Sequence, residues 1–340
     1  MSTSKICFAL LPLLTVAIVA APPKAESYDR DAVKPKYRRP SQVSFPKDNP
    51  YTRESELLGR TLFFDPRLSS SKVISCASCH NPGFSWGDGL PLAVGHGMKV
   101  LARRTPTILN VAWSELLFWD GRAGSLEDQA LGPIAAPGEM NQPLDKMVQA
   151  LQSIQGYQPM FERAYPGQPI SKESVAKAIA TFERTVVSGI APFDRWVNGD
   201  EKAITESAKR GFDLFNTKAG CAKCHTGWNF TDDGFHDIGV KSQDRGRNAV
   251  LDLPAMQFAF KTPTLRNVDR RAPYLHDGSE ATLEDVIALY EEGGRVKRPS
   301  LSPDIYRLNL TVEEKRDLIA FLRTLTSQDA AIEVPILPAN

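Results

Sequence analysis

Two pentapeptides carry the clearest chemistry in this sequence: Cys76-Ala77-Ser78-Cys79-His80 and Cys221-Ala222-Lys223-Cys224-His225. In a Cys-x-x-Cys-His run the two thiols reach the vinyl groups of one haem, while the adjacent imidazole binds its iron from the same face. Two covalently bound haem c groups are therefore expected, attached through Cys76, Cys79, Cys221 and Cys224, with His80 and His225 as proximal ligands. A zinc site made from both Cys-x-x-Cys pairs is excluded because they lie in opposite halves of the chain, far beyond the roughly 15–20 residue spacing of common zinc modules. A thioredoxin-like dithiol has no need of His after both second cysteines.

The fifth cysteine, Cys7, sits in an opening segment that reads as an export signal. Lys5 supplies the positive charge, Ile6 to Ala21 is almost wholly apolar, and small residues run to about Ala25. That apolar run is shorter than the roughly 20 residues of a bilayer span. Pro12 interrupts it, so residues 1–25 are expected to be a cleaved signal peptide rather than a retained anchor. Cleavage leaves every remaining cysteine in a haem motif and implies a periplasmic chain with no membrane span. The 41 basic and 40 acidic residues nearly cancel, which excludes the broad cationic surface of a nucleic-acid-binding protein.

The elements that must hold these motifs read as mainly α, with two cytochrome c-like haem domains, long loops and an extended N-terminal arm. Residues 26–49 are rich in Pro, Lys, Arg and Asp without apolar period and form the arm. The first domain spans 50–190, a linker 191–203, the second domain 204–328 and a tail 329–340. Leu57, Leu58, Leu62 and Phe63 have helical spacing and end at Asp65-Pro66, just before the first haem motif. Further helices are expected over Leu144–Ile154, Lys172–Val187 with Ser171 as N-cap, Ile204–Phe215, Leu283–Tyr290 and Val312–Leu325. The repeated order of helix, haem motif, loop and helix implies an internal duplication. Between His80 and Ala112 the Gly and Pro content predicts a long loop lining a site.

The sixth position of each iron separates an electron carrier from a catalyst, because only an open or displaceable site can bind peroxide. His96, Met98, His236, Met256, His276 and Tyr290 are the residues of the haem-flanking segments with suitable atoms.

Beyond the haem motifs, the chain contains Gly95-His96-Gly97, Thr105-Pro106-Thr107, Phe118-Trp119-Asp120-Gly121-Arg122-Ala123, Gln129 with Gly132-Pro133, and Glu139-Met140. Its second half adds Ala191-Pro192-Phe193-Asp194, Thr262-Pro263-Thr264-Leu265-Arg266-Asn267 and Ala272-Pro273-Tyr274-Leu275-His276-Asp277-Gly278. With these stretches the chain resembles the bacterial dihaem cytochrome c peroxidase and MauG superfamily over nearly its whole mature length. The resemblance implies that the first haem reacts with peroxide and the second transfers electrons. It implies that His96 matches a histidine that caps the first haem at rest and moves away on activation. Glu139 and Gln129 match the distal pocket, and Trp119 matches the tryptophan between the haems.

Chemistry supports these matches independently. A carboxylate in a dry pocket can take the proton from the inner oxygen of peroxide and return it to the leaving one, as Glu139 would. Gln129 can orient peroxide without titrating. The resemblance departs from the peroxidases at the second haem, where the axial Met position falls on Tyr290, as in MauG-type members. A thioether favours ferrous iron, whereas a phenolate favours ferric and higher states. Met256 is the rival ligand but precedes the Thr262-Pro263-Thr264 motif. His96 then either ligates weakly or stands unligated in the distal pocket. Arg266 is expected to pair with a haem propionate, and His236 and His276 to make structural hydrogen bonds. The resemblance also implies a calcium ion between the haems, yet Arg104 replaces an Asn ligand there and a cation repels calcium, so the ion is expected to be lost or differently ligated, with carbonyls near Thr262 and Thr264 as the surviving ligands.

Together these readings imply an oxidoreductase of MauG type that uses hydrogen peroxide to form a high-valent dihaem state and oxidises a partner protein, with possible Trp or Tyr modification. The alternatives are a cytochrome c peroxidase fed by a small cytochrome or copper protein, and a noncatalytic dihaem carrier.

Overall fold

A computed structural model of the chain describes residues 28–339, so the expected export signal and Cys7 lie outside the described residues. The arm differs from a featureless extended strand. It opens with a helical turn, α1 (Arg30–Val33), capped by the Asp29 side chain, and a 3-10 turn over Lys34–Tyr37. Tyr37 is 2% exposed and packs its ring 5.0 Å from that of Phe230. Arg30 grips Asp213 at 2.8 Å and Lys34 reaches Glu201 at 2.7 Å. One buried aromatic and two ion pairs dock a segment whose composition alone reads as solvated.

The first haem unit contains α2 (Arg53–Phe64), α3 (Cys76–Cys79), α4 (Leu126–Ala135), α5 (Leu144–Ser153), α6 (Gln158–Ala164) and α7 (Lys172–Thr185). Thr52 and Ser55 form a reciprocal capping box at the start of α2, and Ser171 and Ser174 do so for α7. Leu58, Leu62 and Phe63 of α2 and Val175, Ile179 and Phe182 of α7 supply the first core. The predicted loop after His80 has only isolated turns until α4 begins.

The second unit contains α8 (Pro192–Val197), α9 (Glu206–Asn216), α10 (Asn248–Leu251), α11 (Leu283–Glu291) and α12 (Val312–Arg323). A two-residue antiparallel ribbon, β1 (Phe235–His236) with β2 (Phe260–Lys261), pairs Phe235 with Lys261. Its core is an aromatic cluster of Tyr37, Phe193, Trp196, Phe212, Phe215, Phe230 and Phe321. Residues 191–203, expected to link the domains, instead contribute α8, whose Phe193 and Trp196 are fully buried in this core. Apolar burial makes that stretch part of the second unit. The tail crosses back to the first unit, where Arg67 donates to the Pro338 carbonyl at 2.9 Å and Gly156 to that of Ala339 at 3.2 Å.

The two units share one packing feature. In each unit the helix before the haem motif crosses the last helix at a glycine. A Cβ on Gly59 would lie 1.9 Å from the Ala178 carbonyl oxygen, and one on Gly211 2.0 Å from that of Asp317. Backbone therefore touches backbone at both crossings, fixing the angle that delivers each Cys-x-x-Cys-His turn. Gly59→Ala and Gly211→Ala are each expected to cost about 1–3 kcal/mol by overpacking. Denaturant melts of the holoprotein check this, with unchanged midpoints counting against the shared crossing.

Candidate functional site

Each haem motif is wound into a single tight turn. Ser75 and Ser78 cap the first, and the His80 amide donates to the Cys76 carbonyl at 2.9 Å. The His225 amide makes the same bond to Cys221 at 2.9 Å. The turn thereby places both thiols and the imidazole on one side of the chain.

The two imidazoles are oriented alike. His80 Nδ1 lies 3.2 Å from the Trp86 carbonyl oxygen and His225 Nδ1 lies 2.9 Å from that of Phe230. A carbonyl can only accept, so Nδ1 carries the proton and Nε2 keeps the lone pair that binds iron. Burial lowers the pKa of both rings, which keeps them neutral and ready to ligate. None of the four described cysteines is in a disulfide, so the thiols remain free for thioether bonds.

A partly open cavity of about 860 Å³ runs past both motifs and is lined by His80, His225, Tyr290, Glu139, Gln129 and Trp119 among others. Of the four arginines on its wall, Arg103 and Arg122 pair with Asp120, which leaves Arg104 and Arg271. Both are buried, neither has a carboxylate partner, and the Nε of each lacks any acceptor. Burial and mutual repulsion push Arg271 down to about 9, and burial lowers Arg104. Two facing buried cations without an anion are costly unless an acidic ligand group neutralises them. Haem propionates fit that need, and the cavity, thiols and oriented imidazoles fit the rest of the group.

Arg266 is placed otherwise. It is fully buried but off the cavity wall, with Nη1 2.8 Å from Asp194 and Nε donating to the Trp228 carbonyl at 2.7 Å. Asp194 at the start of α8 pairs with one edge of the guanidinium, while the buried Nη2 has no acceptor. Arg271 was missed in the sequence, where its only signal is a second arginine beside the cis Ala272-Pro273 turn.

Glu139 and Gln129 are brought together by an irregular helix end. Pro133 inside α4 has no amide to donate, and the chain returns so that Met140 donates to the Pro133 carbonyl at 3.1 Å and Gln142 to that of Ile134 at 2.8 Å. This fold-back sets Glu139 on the cavity wall beside α4, which carries Gln129. Burial raises the Glu139 pKa, with the Arg122 guanidinium opposing the shift. His96 does not share this wall: its Nδ1 turns toward the Ser70 hydroxyl at 3.4 Å. Its amide instead donates to the Glu139 carbonyl at 2.8 Å, because Gly95 brings the loop against Gly138.

Trp119 stands where the units meet. Its indole donates to the Arg104 carbonyl at 2.9 Å, and its own carbonyl accepts from the Lys261 amide of β2 at 2.9 Å. The loop presses so closely on the second unit that a Cβ on Gly121, at φ +67°, would lie 2.3 Å from the Phe235 ring. His276 stacks on Phe260 at 3.6 Å and sits 3.3 Å from the Ser242 hydroxyl, with burial lowering it to about 4.

In the second unit Tyr290 lines the cavity together with Cys221, Cys224 and His225, whereas Met256 is not on its wall. Burial raises the phenol's pKa, so an ionised Tyr290 requires a cation such as iron at its oxygen. Cys224, Asp232 and His236 also converge within 4.8 Å, but thioether formation removes Cys224 as a metal ligand. His236 is held by Asp232 at 2.8 Å.

These features define a dihaem c-type cytochrome. The di-haem cytochrome c peroxidase family model matches residues 53–202, and the cytochrome c model matches residues 208–326. The chain is 52% identical to the methylamine utilization protein MauG of Methylorubrum extorquens, over 92% of this chain and 90% of that one. It is 35% identical to the cytochrome c551 peroxidase of Pseudomonas aeruginosa, over 97% and 96% of the two chains. Among solved structures, a MauG-like protein associated with microbial copper homeostasis superimposes with a TM-score of 0.79 at 34% identity, covering 86% of this chain and 95% of that one. The chain belongs to the dihaem cytochrome c peroxidase and MauG family, and is a dihaem oxidoreductase with two covalently bound haem c groups. Among the described residues no helix is long and apolar enough to cross a membrane.

The calcium ion implied by that kinship does not fit here. Arg104 donates through Nη2 to the Arg271 carbonyl at 2.5 Å, Arg271 donates to the Thr264 carbonyl, and the Thr231 hydroxyl donates to the Thr262 carbonyl at 2.7 Å. Two of these carbonyls, those of Arg271 and Thr264, accept from guanidinium groups, whose charge repels a divalent cation. Metal analysis of the holoprotein is expected to return iron without stoichiometric calcium, and EDTA to leave the haem spectrum unchanged. One calcium per chain contradicts this.

Proposed function

We propose that the chain is a periplasmic dihaem oxidoreductase of MauG type, which takes oxidising equivalents from hydrogen peroxide and spends them on Trp or Tyr residues of a partner protein. The observation that carries the reading is Tyr290, an oxygen donor facing the second haem site in place of a thioether. The closer match to a MauG chain than to a cytochrome c551 peroxidase supports it. Export rests on the signal-like run of Lys5 and Ile6 to Ala21.

When bound, the haem pair supplies redox-active iron for peroxide activation and for holding the resulting oxidising equivalents. The residues do the rest. Glu139 takes the proton from the inner peroxide oxygen and delivers it to the outer one, so that water departs. Its raised pKa helps it hold that proton between the two transfers. Gln129 lines the same cavity, and its amide can orient peroxide by hydrogen bonding without titrating. Trp119 presents an indole at the seam of the two units, clamped by Arg104 and Lys261, as a path between haems. Arg104 and Arg271 would neutralise the haem propionates, and Tyr290 would hold the second haem through its phenol oxygen, giving up its proton to do so.

Equimolar peroxide added to the fully ferric protein is expected to cause a persistent change in the haem spectrum by stopped-flow absorbance. A requirement for prior one-electron reduction indicates an ordinary peroxidase, and no reaction in either state indicates a carrier. Glu139→Gln is expected to slow the reaction about a hundred- to ten-thousand-fold. With Glu139 acting as base, the wild-type rate rises with pH through its raised pKa, and the variant loses that rise; an unaltered rate and pH profile removes Glu139. Tyr290→Met is expected to raise the second haem's potential in a redox titration, and an unchanged potential removes Tyr290 as ligand.

A further inference from the structure

Glu183, on α7, is a buried acid that the peroxide chemistry above does not use. It lines the haem cavity near Cys76, yet is only 4% exposed, and its Oε2 has no hydrogen-bond donor. Its neighbour in sequence offers no rescue. Arg184 points to Glu127, which it grips with Nη1 at 2.7 Å and Nη2 at 2.9 Å, and Asn49 donates to the same carboxylate at 2.7 Å. The nearest cation is thus committed to another acid.

The charged surroundings of Glu183 are few. Arg184 on its own helix favours the ionised form, and Glu127 on α4 opposes it. The Cys76 sulfur is the remaining titratable group that feels Glu183, and thioether attachment takes away its charge. Neither α2 nor α5 adds a charge that acts on it. Burial dominates and pushes the carboxyl up to about 8. In plain structural terms a Gln or Met would fill this place without the cost of a solitary buried acid. Its position on the wall of the first haem site points to a use for its proton.

We propose that Glu183 is the proton-exchanging group of the first haem site, binding a proton when that haem gains an electron and releasing it when the electron leaves. A ferric haem core carries one more positive charge than a ferrous one, so the ferric state favours the nearby carboxylate and the ferrous state the carboxylic acid. The balance is simple. One electron from a one-electron redox protein, or from the electrode in the test, converts Fe(III) to Fe(II), and one solvent proton converts the Glu183 carboxylate to the acid, leaving the local charge unchanged. Oxidation returns both. This assignment depends on haem attachment at Cys76 and Cys79, and is independent of which partner is oxidised.

The test is a spectroelectrochemical titration of the holoprotein from about pH 6 to about pH 10, with the first haem followed by its own EPR signal. In the wild type its midpoint potential is expected to fall as pH rises through the titration of Glu183. Glu183→Gln is expected to abolish that slope and hold the potential near the wild-type acid limit. Glu183→Asp keeps an ionisable group and is expected to restore a slope, displaced in pH, which a purely structural role cannot do. A flat wild-type profile, or an equal slope in the Gln variant, overturns the proposal. Should the Gln variant fail to take up haem, redox-difference infrared spectra of the wild type decide instead. A carboxylic acid band gained on reduction, shifted by glutamate labelled with carbon-13 and surviving in Glu139→Gln, supports the assignment, and its absence overturns it.

Discussion

Everything in this structure depends on the hydrogen bond between each proximal imidazole and a backbone carbonyl a few residues further on. His80 spends Nδ1 on Trp86 and His225 spends it on Phe230, so a single lone pair on Nε2 remains for iron. Those carbonyls are placed by buried aromatics, Trp86 in the first core and Phe230 in the second. Core packing thereby sets ligand orientation, and the glycine crossings of α2 with α7 and α9 with α12 set the core.

The duplicated scaffold then diverges where chemistry requires it. In the first unit, a proline in α4 and the fold-back of Met140 and Gln142 turn a helix end into a wall bearing an acid and an amide. In the second, the helix after the Ala272-Pro273 turn presents a phenol. Between them lie Trp119 and two buried arginines, and the arginines also occupy the carbonyls that a divalent ion would need. Charge at the seam is supplied by side chains, which suits a site built around acidic propionates.

Much of this was legible in the sequence. The thioether cysteines, the proximal histidines, the main helices and the mainly α class follow from spacing and apolar period, because those signals are local. What was not legible depends on distant pairing. Arg266 reads as a propionate partner, and its ion pair with Asp194 on a distant helix carries no sequence signal; 191–203 reads as a linker until Phe193 and Trp196 are seen in an aromatic core. The Gly95-His96-Gly97 loop reads as distal, yet its close approach to Gly138 turns His96 toward Ser70. Arg271 and Glu183 carry no motif, and only their burial without a partner of opposite charge singles them out.

The account stands on two dissimilar irons, one open beneath Glu139 and one closed by the Tyr290 oxygen. Low-temperature EPR of the fully ferric protein examines this directly. It is expected to show one high-spin signal and one low-spin signal in equal amounts, with Tyr290→Phe altering the low-spin signal alone. Two low-spin signals, both untouched by that substitution, would contradict it.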